Sequence, residues 1–204
     1  MKYLALLLIP LTFSLISNNE SIQIGDSAPM KDLKMKSTND ELLSLLDLNK
    51  ENGLLVIFSC NTCPFVVGND NFLGWEKDYN ELFSLVNKQK IGMVLINSNE
   101  AKRKGDDSME QMKIRSNQKN YEMNYLMDEN HKLADAFGAR TTPHVFLFDN
   151  NLELIYTGSI DNSWDKLAKK EEPYLINAIE EHLAGKSISK STTSPKGCSI
   201  KRTK

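Results

Sequence analysis

The stretch Ile57-Phe58-Ser59-Cys60-Asn61-Thr62-Cys63-Pro64 decides how the rest of the chain is read. The aliphatic run from Leu54 to Phe58 ends abruptly at two cysteines three residues apart. A short continuous apolar run bounded in this way reads as a strand buried on both faces. Beyond it, Phe72, Trp75, Tyr79, Leu82, Phe83 and Val86 recur at helical spacing, so the cysteines sit where a buried strand hands over to a long amphipathic helix. Unpaired N–H groups and the positive end of a helix dipole favour thiolate over thiol at Cys60. Residues i and i+3 share a helical face, which puts Cys63 within reach of Cys60 for a disulfide. Pro64 fits because its missing N–H costs nothing in a first turn. The aromatic stripe itself is read as core packing.

Composition limits the alternatives. The 204 residues suffice for one well-buried domain. A formal net charge of −2 gives no reason to look for nucleic acid. The charge is uneven, because Lys186 to Lys204 holds six Lys/Arg and no acid. Residues 186–204 therefore read as a flexible basic tail, carrying Cys198. Three cysteines in a chain of this size do not make a disulfide scaffold.

In chain order, Met1-Lys2 and the apolar run from Leu4 to Ile16 have the form of a signal peptide, with an uncleaved N-terminal anchor as the alternative. This assigns residues 1–19 to targeting and places the CxxC in an oxidising compartment, a bacterial periplasm being the expected one. The domain itself spans 20–185. Ile22 to Ile24 and Leu33 to Lys36 are short strand candidates, and Thr38 or Asn39 would cap a helix through Leu42, Leu43, Leu45 and Leu46. Ile91 to Asn97 is a second buried strand. Lys102-Arg103-Lys104 reads as a solvated loop before a helix opened by the capping pattern Asp107-Ser108-Met109-Glu110-Gln111. Tyr125 to Met127 is a strand, and Lys132 to Phe137 a helix stopped by Gly138. Val145 to Phe148 and Leu154 to Tyr156 form a hairpin, and a last helix runs from near Pro173 to Gly185. The alternation argues for an α/β domain with a mixed sheet.

The CxxC between a buried strand and a helix, with Thr142-Pro143 leading into a later hairpin and terminal helix, resembles the thioredoxin superfamily over about residues 20–185. Ile24-Gly25-Asp26-Ser27-Ala28-Pro29, Cys60 through Val66, Asn97-Ser98-Asn99, Asp107-Ser108 and Gly197-Cys198-Ser199-Ile200-Lys201 narrow the resemblance. They are similar to the AhpC/TSA (redoxin) group of peroxiredoxin-like type. The resemblance implies a single domain with a central mixed β-sheet flanked by helices. It also implies disulfide exchange in which Cys60 attacks and Cys63 resolves. A cis peptide before Pro143 would set the Thr142 backbone against the site as the docking edge for an extended substrate. Protein disulfides and a dithiol redox partner would be its partners, without cofactor or metal. Membrane contact would come only through the N-terminal segment.

The departures matter as much. Ser59 replaces the tryptophan usual before the first cysteine, and Leu54 stands where thioredoxins keep a buried carboxylate. A thiol peroxidase is the first alternative. Cys63-Pro64 fits a peroxidatic motif, but Cys60 takes its Thr/Ser position, and Pro143 stands where the peroxide-polarising arginine aligns, with Arg140 displaced from it. A copper or zinc protein using Cys60, Cys63 and His144 is the second; otherwise His144 reads as an outward-facing residue at a strand start, with His131 and His182 facing solvent. Cys198 is either an inert tail thiol or a third redox cysteine.

Overall fold

The computed structural model describes residues 21–204, so the predicted targeting segment 1–19 lies outside the described residues. The quoted stretch becomes β3 (Leu54–Ser59) at the heart of a seven-stranded mixed sheet. Around it lie β1 (Met35–Ser37), β2 (Leu42–Leu43), β4 (Gly92–Asn97), β5 (Asn124–Met127), β7 (His144–Phe148) and β8 (Leu154–Gly158), in the order β2-β1-β5-β4-β3-β7-β8. β3 runs parallel to β4 and antiparallel to β7, with Phe58 opposite Ile96 on one side and His144 on the other.

The uninterrupted apolar run of β3 has a simple cause, since both of its faces are covered. Leu55 and Ile57 point into one core with Leu95, Val145, Leu147 and Tyr156. That core is closed by α3 (Tyr79–Lys88), by Met112 of α4 (Met109–Lys119) and by α6 (Tyr174–Leu183). Leu54, Val56 and Phe58 point into the other, against α1 (Leu45–Leu48) and α5 (Lys132–Phe137). Phe137 there meets Phe58, Phe146 and Phe148 edge-on at centroid distances of 5.4, 5.1 and 5.6 Å. Each such fully buried side chain contributes roughly 1.5–3 kcal/mol, and the edge-on contacts somewhat more. Among the described residues no helix is long and apolar enough to cross a membrane.

Three sequence expectations are corrected. Ile22 to Ile24 is irregular chain rather than strand. Leu42 and Leu43 form an edge strand paired to β1, and the following helix is only Leu45–Leu48, capped by Ser44 rather than by Thr38 or Asn39. The single long helix after the CxxC is broken into α2 (Pro64–Val67), a loop, a 3-10 turn at Trp75–Asp78, and α3. Gly68 and Gly74 make the break, with φ of 90° and 76°. A Cβ on Gly74 would lie 2.3 Å from the Val66 carbonyl oxygen, so only glycine lets the loop fold back on α2.

The tail differs most from expectation. Ser191 and Thr193 bond to both backbone groups of Thr157, covering the β8 edge at 3.0 Å each. Cys198–Ser199 forms β9, which pairs antiparallel with β6 (Thr141–Thr142). Ile200 is buried in the second core. The polar composition that suggested flexibility overlooks these anchors, which are mostly backbone hydrogen bonds.

Candidate active site

Cys60 leaves the end of β3, and Cys63 is the N-cap of α2 with Pro64 in its first turn. The Cys63 N–H donates to the Cys60 sulfur at 3.3 Å, the contact expected where a strand gives way to a helix N-terminus. The Thr142–Pro143 peptide is cis, as the resemblance implied. Thr142 lies across both cysteines: its hydroxyl is 3.2 Å from the Cys60 sulfur, and its carbonyl oxygen, 2.9 Å from the Cys63 sulfur, accepts from Cys63 while that sulfur is protonated. The side facing solvent is closed by the chain's own tail. The Cys198 N–H donates to the Cys63 sulfur at 3.3 Å, and Cys60 and Cys63 are only 2% and 3% exposed. All three cysteines are free thiols.

The electrostatics lower the pKa of Cys63, whereas the resemblance implied Cys60 as the nucleophile. Cys63 is the acidic sulfur, lowered to about 5. The Cys60 thiol donating to it is the largest cause, and the Cys198 thiol and N–H add to it against the opposing effect of burial. Cys60 is pushed well up, first because its proton is held in that bond, then by its deeper burial, with the negative charge of Asp107 contributing. The balance of these contacts favours ionisation at Cys63 and retention of the proton at Cys60 in the reduced, tail-docked dyad.

The loop between the cysteines is pinned by residues to which the sequence assigned no part in the site. Asn61 donates its N–H to Asp107 Oδ1 at 2.9 Å and accepts from the Tyr125 hydroxyl at 3.0 Å. Asp107 is fully buried and also accepts from the side chains of Asn97 and Asn99 at 2.8 and 3.0 Å. A buried carboxylate thus exists after all, supplied by the start of α4 rather than by position 54. Arg103, expected in a solvated run, instead donates to the carbonyl oxygens of Asn97 and Asp107 at 2.9 and 2.7 Å. The signal for this network was the polar ending of an otherwise apolar β4, followed shortly by an acid at a helix start.

His144 is not outward-facing. It is buried between the Arg140 N–H, which donates to Nδ1 at 3.2 Å, and the Thr157 hydroxyl, 3.3 Å from Nε2. Both ring nitrogens are engaged there, which leaves no lone pair for a metal shared with the cysteines. Among the described residues no group of three or more His, Cys, Asp or Glu could hold a metal ion. His131 and His182 are half-buried and bonded to Asp135 and to the Asn52 carbonyl. Arg140 lines a separate cavity of about 370 Å³ with His144 and Thr157. No arginine is among the hydrogen-bond partners of the described cysteines.

Burial, and then the Arg140 charge, lower the His144 pKa to about 3. The unfolded chain holds its proton up to about pH 6.5, so between these values the unfolded state binds more protons. Stability is expected to fall with acid across that window by about 1.4 kcal/mol per pH unit through this group alone. Urea unfolding of wild type and His144→Asn at several pH values checks this, and an acid slope unchanged in the variant refutes it.

Comparison with known proteins adds the family. The redoxin family profile matches residues 23–174, which includes both cysteines of the CxxC and Thr142-Pro143. The chain belongs to the redoxin family. An uncharacterized conserved protein from Geobacillus kaustophilus is similar at 27% identity and a TM-score of 0.79, covering 89% of this chain and 93% of its own. A hypothetical protein from Sinorhizobium meliloti matches at 28% and 0.79, covering 90% and 97%. A putative protein disulfide isomerase from Bacteroides thetaiotaomicron shares the fold at 13% identity and a TM-score of 0.55, covering 80% and 91%. The comparison with curated proteins gives no match. This redoxin is a thioredoxin-like redox protein, with its CxxC at the end of the central strand.

Proposed function

We propose that this redoxin is an exported thiol–disulfide oxidoreductase working through Cys60 and Cys63. The observation that carries the reading is geometric: Cys60 and Cys63 share the turn between β3 and α2, the Cys63 N–H donates to the Cys60 sulfur, and Thr142, before the cis Pro143, lies against both sulfurs. That arrangement suits two-step exchange. The Cys63 thiolate attacks an external disulfide and expels one thiolate. Cys60 then attacks the mixed disulfide at Cys63, and its proton leaves with the second departing sulfur. The products are two external thiols and a Cys60–Cys63 bond. No cofactor takes part, and a dithiol protein would close the cycle. The apolar run from Leu4 to Ile16 supports export, and an oxidising compartment such as a bacterial periplasm would supply disulfide substrates.

A thiol peroxidase is the second reading, favoured by the thiolate of Cys63 immediately before Pro64. Mixing the reduced protein separately with a protein disulfide and with hydrogen peroxide, then trapping and mapping the cysteines, separates the two. Exchange predicts a Cys60–Cys63 bond with the protein disulfide and a peroxide rate no better than that of an ordinary thiolate. A much faster peroxide reaction, with sulfenic acid trapped on Cys63, would displace it.

A further inference from the structure

The tail does more than cover the site. On one side of Cys198, Ser191 and Thr193 are bonded to Thr157, and Lys196 stacks its ammonium 4.2 Å from the Trp164 ring centre. On the other side, the Ile200 N–H donates to the Arg140 carbonyl at 3.0 Å. The Lys201 N–H reaches Asn99 Oδ1 at 2.8 Å, and Arg202 pairs with Asp135 at 2.7 Å. Anchors on both sides make Cys198 a positioned residue rather than a loose thiol.

It is positioned on the active site. Cys198 is in register with Thr142, its N–H is bonded to the Cys63 sulfur, and its thiol adjoins that sulfur. Gly197 permits the approach. A Cβ there would lie 2.2 Å from the Thr142 carbonyl oxygen and 3.1 Å from the Pro143 nitrogen. Any side chain at this position lifts the strand away. A strand laid antiparallel on Thr142 with a sulfur at Cys63 is the pose that a cysteine-bearing peptide would take on this edge.

We propose that the tail is a tethered substrate of the dyad and that Cys198 is a third redox cysteine, forming a disulfide with Cys63. The proposal rests on the exchange reading and extends it. Once Cys63 has attacked an external disulfide R–S–S–R, it carries a Cys63–S–S–R bond and one RS⁻ has left. The Cys198 sulfur attacks the Cys63 sulfur, the bond to R breaks, and the second RS⁻ departs. The Cys198 proton ends on one of the two released sulfurs. One external disulfide is thereby reduced by two electrons, and Cys63 and Cys198 are oxidised together. Attack by Cys60 on Cys63 then moves the bond inward and restores the Cys198 thiol. Run in reverse, the exchange carries a disulfide from the covered dyad to half-exposed Cys198, where an external dithiol can meet it. An extended protein substrate would have to displace β9 to reach Thr142, so tail and substrate compete for one edge.

The test uses Cys60→Ser, which removes the inner resolving thiol, exposed to ~1 mM oxidised glutathione, quenched in acid and mapped by mass spectrometry. A docked thiol acts at an effective concentration of millimolar or above, so Cys63–Cys198 is expected to exceed the Cys63–glutathione adduct about tenfold. Adding Gly197→Val to Cys60→Ser is expected to reverse that ratio, because the strand can no longer seat. Glutathione held on Cys63 beside a free Cys198 thiol in Cys60→Ser would overturn the proposal. If wild type forms its Cys60–Cys63 bond in the same experiment, the exchange reading stands and only the tail chemistry falls. If neither protein oxidises at Cys63, both fall.

Discussion

Titrated with thiolate ultraviolet absorbance as the readout, the reduced protein is expected to ionise one sulfur near pH 5 and no other until well above pH 9. Cys63→Ser is expected to abolish the acidic step and to slow disulfide exchange by ~10³-fold or more, since the attacking atom is gone. The sign of the linkage follows from the unfolded reference. An unfolded cysteine ionises near pH 8.5, so a folded value near 5 gives stability that is present above the unfolded value and lost as the pH falls toward the folded one. At pH 7 this favours the reduced form by roughly 3 kcal/mol, which makes the couple more oxidising by about 60 mV than one with ordinary thiols. The rate is less simple. At pH 7 the gain in thiolate fraction, ~30-fold, is nearly cancelled by the weaker nucleophilicity of a low-pKa thiolate. Near pH 6 an ordinary thiol has lost most of its thiolate while Cys63 retains it, and an advantage of about tenfold opens. An absorbance step in the ordinary thiol range, or an acidic step that persists in Cys63→Ser, would return the nucleophile to Cys60.

What the sequence made legible is what is local. The buried strand, the strand-to-helix position of the CxxC, the helix Lys132–Phe137 stopped at Gly138, and the Ser108 cap are all set by residues within a few positions of one another. Thr142-Pro143 was placed through resemblance, and the cis bond is there. Whatever depends on distant partners was missed. Nothing in the sequence around Gly68 and Gly74 shows that the chain reverses there, because the backbone of Val66 and Leu73 that presses against them comes from the fold. Asp107 looked like a helix-start acid, yet its partners include Asn61, far back in the chain, and burial sets its role. The tail failed for the same reason. Lys/Ser/Thr composition describes a solvated segment, whereas Gly197 against Thr142 and Ile200 in the core tie it to the opposite end of the topology.

The largest expected loss of stability lies away from the cysteines. Glu76 has a side chain only 2% exposed, in the 3-10 turn that leads into α3. Arg115 grips both of its oxygens, with Nε at 2.6 Å from Oε1 and Nη2 on Oε2. The Tyr121 hydroxyl donates to Oε1, and Lys119 Nζ lies 3.5 Å from Oε2. A surface pair is worth roughly 0–1 kcal/mol. Here the carboxylate has left water, so Arg115→Met strands a buried charge and is expected to cost about 3–5 kcal/mol. Lys119 is half exposed and can compensate only in part, which argues for the lower end of that range. Glu76→Gln combined with Arg115→Met removes both charges and is expected to recover most of the loss, because the penalty belongs to the orphaned charge rather than to a missing attraction. Urea unfolding of the single and double variants measures the coupling; equal losses in both would mean that Arg115 acts by packing alone. The effect should reach the active site. Glu76 lies beside Trp75, which bonds to Asp161 at 2.8 Å, and ahead of Tyr79, whose hydroxyl is 3.2 Å from Ser59 next to Cys60. An α4 that no longer clamps this turn loosens the packing that keeps Cys60 buried and protonated, so the acidic ionisation of Cys63 should weaken in Arg115→Met and return in the double variant.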